Sequence, residues 1–89
     1  MTMNITCAII DDEPLALELL ENYVSRVPFL KLTGKYTSAI EALARIKEDG
    51  TQLLFLDIQM PDLNGLEFSR IIDSSTKVVF TTAFSEYAI

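Results

Sequence analysis

Apolar runs and helical spacings alternate along this chain in a regular order. Ile5-Thr6-Cys7-Ala8-Ile9-Ile10 is an almost unbroken apolar run, and residues 4–10 read as a first strand. Pro14 then suits the first turn of a helix, where a missing N–H costs nothing. That helix is predicted to continue to about Val27, with Ala16, Leu19, Leu20, Tyr23 and Val24 on one face, and Pro28 stops it. Leu30-Lys31-Leu32-Thr33-Gly34-Lys35-Tyr36 alternates and is more polar, as expected of a strand at a sheet edge. Ser38-Ala39-Ile40-Glu41 forms a capping box for a second helix, whose inner face is Ala39, Ala42, Leu43 and Ile46 and whose end falls near Asp49-Gly50. Leu53-Leu54-Phe55-Leu56 leads straight into Asp57, a third strand with the continuous apolar character of one covered on both faces. Asn64 to Glu67 repeats the capping logic and starts a short third helix, with Leu66, Ile71 and Ile72 as core contacts. Lys77 to Thr82 reads as a fourth strand, and residues 83–89 as the beginning of another helix.

The resulting order, β-α-β-α-β-α-β, predicts an α/β fold: a doubly wound parallel sheet with right-handed crossovers. Eighty-nine residues make one small domain, which buries only about 60–65% of its unfolded surface. A hydrophobic content of 49% argues against disorder. With 13 acids against 7 bases, a net charge of −6 and no basic run, direct nucleic-acid contact by this segment is not expected. Cys7 is the single cysteine, so no disulfide forms within the chain, and its place in an apolar strand suggests a buried, inert thiol. No apolar stretch approaches ~18 residues and no signal pattern opens the chain, so the expectation is a cytoplasmic protein without membrane contact. The absence of histidine excludes His-based nucleophilic triads, His metal sites and a phosphohistidine carrier role.

The acidic residues change the picture most. Asp11-Asp12-Glu13 follows the first strand, and Asp57 ends the third. Taken singly, each has a structural explanation: acids before a helix cap its N–H groups, and an Asp after a strand often makes a turn. Taken together they suggest more. If the first and third strands are neighbours, Asp11, Asp12 and Asp57 meet at the carboxyl ends of the strands, where open α/β sheets hold their ligands. Two such charges about 4 Å apart repel by roughly 4 kcal/mol at an effective dielectric of about 20, so protonation or a cation is needed. Oxygen ligands without His or Cys suit a hard cation, Mg²⁺ above all. A carboxylate beside such an ion is a candidate nucleophile toward phosphorus, which makes Asp57 a candidate for acyl phosphate formation. Thr82 ends the fourth strand on the same side, where its hydroxyl could bond a phosphoryl oxygen and the small Ala83 would leave room. The competing explanation is that Thr simply favours strands.

Three pieces of the sequence, in order and at these spacings, resemble the receiver domain of two-component response regulators. They are Ile9-Ile10-Asp11-Asp12-Glu13-Pro14, Leu56-Asp57-Ile58-Gln59-Met60-Pro61-Asp62-Leu63-Asn64-Gly65-Leu66-Glu67, and Phe80-Thr81-Thr82-Ala83. The resemblance covers residues 1–89 and implies a flavodoxin-like sheet of strand order 2-1-3-4. It implies that Asp57 is the phosphoacceptor and that Asp12, Asp11, Asp57 and the Gln59 backbone carbonyl hold Mg²⁺. Thr82 and Ala83 would then be the pair that senses the phosphoryl group. The implied function is to take a phosphoryl group from a sensor histidine kinase and switch a transcriptional output, with Leu15 on the first helix as a candidate kinase contact. Such a domain is a signalling module rather than an enzyme, although it can catalyse its own phosphorylation and dephosphorylation. The tail Phe80 to Ile89 is similar to receivers attached to LytTR-type DNA-binding domains. The family also carries a lysine on a fifth strand, then a last helix. This sequence ends before both, and Lys77 would lie about five residues, or ~16 Å, from Thr82. The expectation is therefore a receiver incomplete at its C-terminus and without its output domain, whose exposed fourth strand favours self-association.

Two other classes compete. A pseudo-receiver that serves only dimerisation would need no phosphoryl group; the intact acidic trio argues against it, while the missing fifth-strand lysine argues for it. A flavin protein or an aspartate-based phosphatase shares the fold class. Asp11-Asp12-Glu13 would repel a flavin phosphate, however, and the chain has Asp-Asp-Glu where such a phosphatase has Asp-x-Asp.

Overall fold

The structure, a computed structural model, describes residues 4–57, 59–60, 63–64, 68, 70, 72 and 75–81. Its elements are β1 (Ile5–Ile10), α1 (Pro14–Ser25), β2 (Leu30–Tyr36), α2 (Ala39–Asp49), β3 (Leu53–Asp57), β4 (Gln59–Met60), β5 (Leu63–Asn64) and β6 (Lys77–Thr81). The four long strands form one parallel sheet in the order β2-β1-β3-β6, the 2-1-3-4 order expected from the sequence.

Each sheet face has its own core, because alternate residues of a strand point to opposite sides. Ala8, Ile10, Leu54 and Leu56 are buried beneath Ala39, Ala42 and Ile46 of α2 and beneath Phe68. On the other face, Cys7 and Ile9 lie under Leu17 and Val24 of α1, with Leu20, Leu30, Leu32, Leu53 and Phe55 packed around them. β1 is thus covered on both sides, which is why its sequence is apolar without alternation. Cys7 is fully buried, and burial pushes its thiol pKa up, so it is packing material rather than a nucleophile.

α2 agrees with the sequence residue for residue. The Ser38 hydroxyl accepts from the Glu41 N–H, Gly50 closes the helix at φ 65°, and the buried face is Ala39, Ala42 and Ile46 with Leu43 beside it. α1 does not agree. It ends at Ser25 rather than near Val27, and its buried stripe is Leu17, Leu20 and Val24. Leu19 and Tyr23, expected inside, face solvent. The reason is an excess of apolar residues: Leu15, Leu17, Leu19 and Leu20 offer two helical stripes, and the sheet can take only one.

β2 lies at the sheet edge as expected, but with an irregularity. Cys7 pairs with Leu32 and Ala8 with Gly34, so Thr33 is an extra residue in a bulge. The Thr33 hydroxyl donates to the Cys7 carbonyl and also bonds Thr51. A Cβ at Gly34 would overlap the Tyr36 hydroxyl and ring, so a larger residue there would force the Tyr36 side chain to move.

After β3, Gln59–Met60 pairs antiparallel with Leu63–Asn64 in a short ribbon that the sequence reading did not include, while Gly65, Leu66 and Glu67 of the expected capping stretch lie outside the described residues. Phe68 and Arg70 are helical, and Ile72 packs against the core. Leu66, Ile71 and the last helix expected over 83–89 lie outside the described residues. Among the described residues, no helix is long and apolar enough to cross a membrane.

Candidate acidic metal site

The parallel sheet order determines what meets at its carboxyl edge. β1 and β3 are direct neighbours, with Ile10 opposite Leu56, so Asp11 and Asp57 leave the sheet side by side. Asp12 follows in the turn that leads into α1. The three carboxylates each offer an oxygen, and these oxygens lie within 4.8 Å of one another. Asp11 is 2% exposed and Asp57 6%, while Asp12 is half-buried.

Asp11 is tied down twice. Its backbone N–H donates to the Tyr36 carbonyl at 3.0 Å, and its Oδ1 accepts from the Glu13 N–H at 2.9 Å. The capping explanation therefore holds only in part. Glu13 is the N-cap of α1 but makes no side-chain cap, and Asp11 bonds the turn rather than the helix. The position of Asp12 and Asp57 is not accounted for by helix capping at all.

The electrostatics agree. Burial pushes the Asp11 pKa up to about 6, against the opposing effect of the Glu13 N–H. The negative charges of Asp57 and Asp12, and a hydrogen bond with Asp57, raise it further. Every charged group acting on Asp11 among the described residues is thus an acid. Three converging carboxylate oxygens, with Asp11 held toward its neutral form by its burial and its acidic neighbours, fit a hard divalent cation, and Asp11, Asp12 and Asp57 are the residues that would hold it.

Gln59 lies in β4, two residues beyond Asp57, so its backbone is near the cluster in sequence. Thr82 and Ala83 lie outside the described residues. Leu15 stands in the first turn of α1, 77% exposed. One residue escaped the sequence reading. Thr81 is the register partner of Asp57, and its Oγ1 is buried with no hydrogen-bond partner among the described residues. The Thr81-Thr82 pair was the available signal, but only pairing shows which threonine stands opposite Asp57.

The chain is similar to known proteins. The chain is 45% identical over 87 residues to a response regulatory protein of Shewanella oneidensis, covering 96% of this chain and 37% of that protein. It is 40% identical over 83 residues to the transcriptional regulatory protein BtsR of Escherichia coli, covering 91% of this chain and 35% of BtsR. The chain therefore spans about a third of the length of these relatives. Among solved structures it is similar to the receiver domain of the response regulator NarL from Mycobacterium tuberculosis. That match has 25% identity and a TM-score of 0.82, over 97% of this chain and 72% of that one. The family described as response regulator receiver domain matches residues 7–89, and with sheet order, acidic edge and relatives in agreement, the chain belongs to that family.

Proposed function

We propose that this receiver accepts a phosphoryl group on Asp57, from the phosphohistidine of a sensor kinase, and passes the signal to a transcriptional output. The convergence of Asp11, Asp12 and Asp57 at the carboxyl edge of the sheet carries this reading. In the transfer, an Asp57 carboxylate oxygen bonds phosphorus, the N–P bond breaks, and its electron pair leaves with the imidazole. Asp11, Asp12, Asp57 and the Gln59 backbone carbonyl would hold Mg²⁺, which supplies charge neutralisation for the incoming phosphoryl group. The product adds about −1.5 to −2 of charge and new acceptor oxygens, to which the Thr82 hydroxyl responds with Ala83 leaving space. The relative named as a transcriptional regulator supports the output class, and the tail from Phe80 supports a LytTR-type partner domain.

The test is incubation with Mg²⁺ and acetyl phosphate, read by intact mass beside Asp57→Asn. A phosphoryl adduct is expected on the wild type alone, and chelation should abolish it. An adduct on Asp57→Asn, or none on folded wild type, refutes the assignment.

Kinase docking is assigned to the solvent side of α1. Leu15, Leu19 and Tyr23 are 77%, 52% and 54% exposed and lie four residues apart, a continuous apolar stripe beginning beside the acidic cluster. Leu15→Asp is expected to leave reaction with acetyl phosphate unchanged and to slow transfer from the cognate kinase about ten-fold. Equal slowing of both reactions would show a fold defect instead of a docking contact.

A further inference from the structure

The end of the molecule opposite the acidic cluster holds a cavity of about 490 Å³ that the proposed phosphotransfer does not use. It opens where α2 ends and where β3 and β6 begin, one strand length, or ~16 Å, from Asp57. Its volume falls within the range of small-molecule sites, about 300–1,000 Å³. Leu43, Ile46 and Ile72 give it an apolar wall.

The polar lining divides into groups already satisfied and groups still available. The Thr51 hydroxyl bonds Thr33, and the Thr76 hydroxyl donates to the Thr51 carbonyl at 2.8 Å. Two carbonyls at the end of α2 are occupied as well, since the Gly50 N–H reaches those of Ile46 and Lys47 and the Thr51 N–H reaches that of Ile46. Lys47 is not needed at these two carbonyls. It is exposed, and among the described residues it is the only charged one lining the cavity and its ammonium has no partner. Gln52 is also exposed. Its Oε1 accepts from the Thr6 N–H at 3.0 Å and from the Thr6 hydroxyl at 3.3 Å, which leaves its amide N–H groups without a partner among the described residues. Among the described residues, the Lys47 ammonium and the Gln52 amide are thus free side-chain donors at this apolar cavity, and one is a cation.

We infer that this cavity binds a small amphipathic carboxylate, with its hydrocarbon part against Leu43, Ile46 and Ile72 and its anionic end at Lys47 and Gln52. The site is separate from the acidic edge, where the local charge would repel such a ligand.

Octanoate is a suitable probe, added to the isotope-labelled chain and followed by amide NMR shifts. Saturable shifts confined to Leu43, Lys47, Gln52, Thr76 and their neighbours are expected. Lys47→Ala should weaken binding about five-fold, as should replacing octanoate by octanol, while Lys47→Arg should retain it. Circular dichroism establishes that each variant is folded. Shifts that do not saturate, or that gather on the exposed apolar residues of α1, overturn the inference. So does equal binding of octanoate and octanol, or binding indifferent to Lys47→Ala.

Discussion

Asp11→Asn should stabilise the metal-free chain at pH 7 by about 2 kcal/mol, or about 10 °C in melting temperature for a domain this small. The Asp11 pKa is pushed up to about 6 in the folded chain, against an ordinary 3.8. Between these values the folded state holds a proton that the unfolded chain has released. Stability linked to this group is therefore fully present below about pH 4 and is lost as pH rises through about 6. Asn mimics the protonated form: it keeps an oxygen for the Glu13 N–H and offers a donor to Asp57, but it does not titrate. Thermal melts of both proteins in chelator from pH 4 to 8 isolate the effect as a difference. The gap should be small at pH 4 and widen with rising pH, whereas parallel curves would show that Asp11 is not strained by its neighbours. Added Mg²⁺ should narrow the gap by stabilising the wild type, because an ion that binds only the folded state raises its stability by mass action.

Leu54→Ala carries the largest expected loss of stability, about 3–4 kcal/mol. Leu54 is fully buried in β3, between β1 and β6, in the core that α2 and Phe68 cover. Strands on both sides prevent the space from closing, so the cavity term adds to the lost transfer energy. A chain of this length has roughly 4–13 kcal/mol in total, so the change removes a large share. Leu15→Ala is the control. It removes the same atoms from a residue 77% exposed and should cost under about 0.5 kcal/mol. Urea titrations followed by circular dichroism measure both. A similar midpoint for the two variants would contradict the assigned core.

Wherever a local signal had a single solution, the sequence was enough. The short, continuous apolar runs of β1 and β3 read as covered strands, and the alternating order of elements pointed to a parallel sheet. Ser38 and Gly50 bounded α2 because capping depends on a few adjacent residues. The acidic site was legible for the same reason. Asp11 and Asp57 each end a strand, and parallel neighbours bring such ends together, so sheet order alone places them in contact.

What the sequence left open were choices between equivalent local solutions. α1 has two apolar stripes, and contact with Cys7, Ile9 and Leu30 selects Leu17, Leu20 and Val24 while leaving Leu15, Leu19 and Tyr23 outside. Phe68 gave no periodic signal, yet it is fully buried, because its role depends on Ala8 and Leu54, which are distant in sequence. Register placed Thr81 opposite Asp57, and the bulge at Thr33 appeared only once β2 was paired with β1. The carboxylate trio and the fold were thus written in short-range pattern. The direction in which α1 presents its leucines, and the cavity beside Lys47, were decided by packing between segments that no local pattern connects.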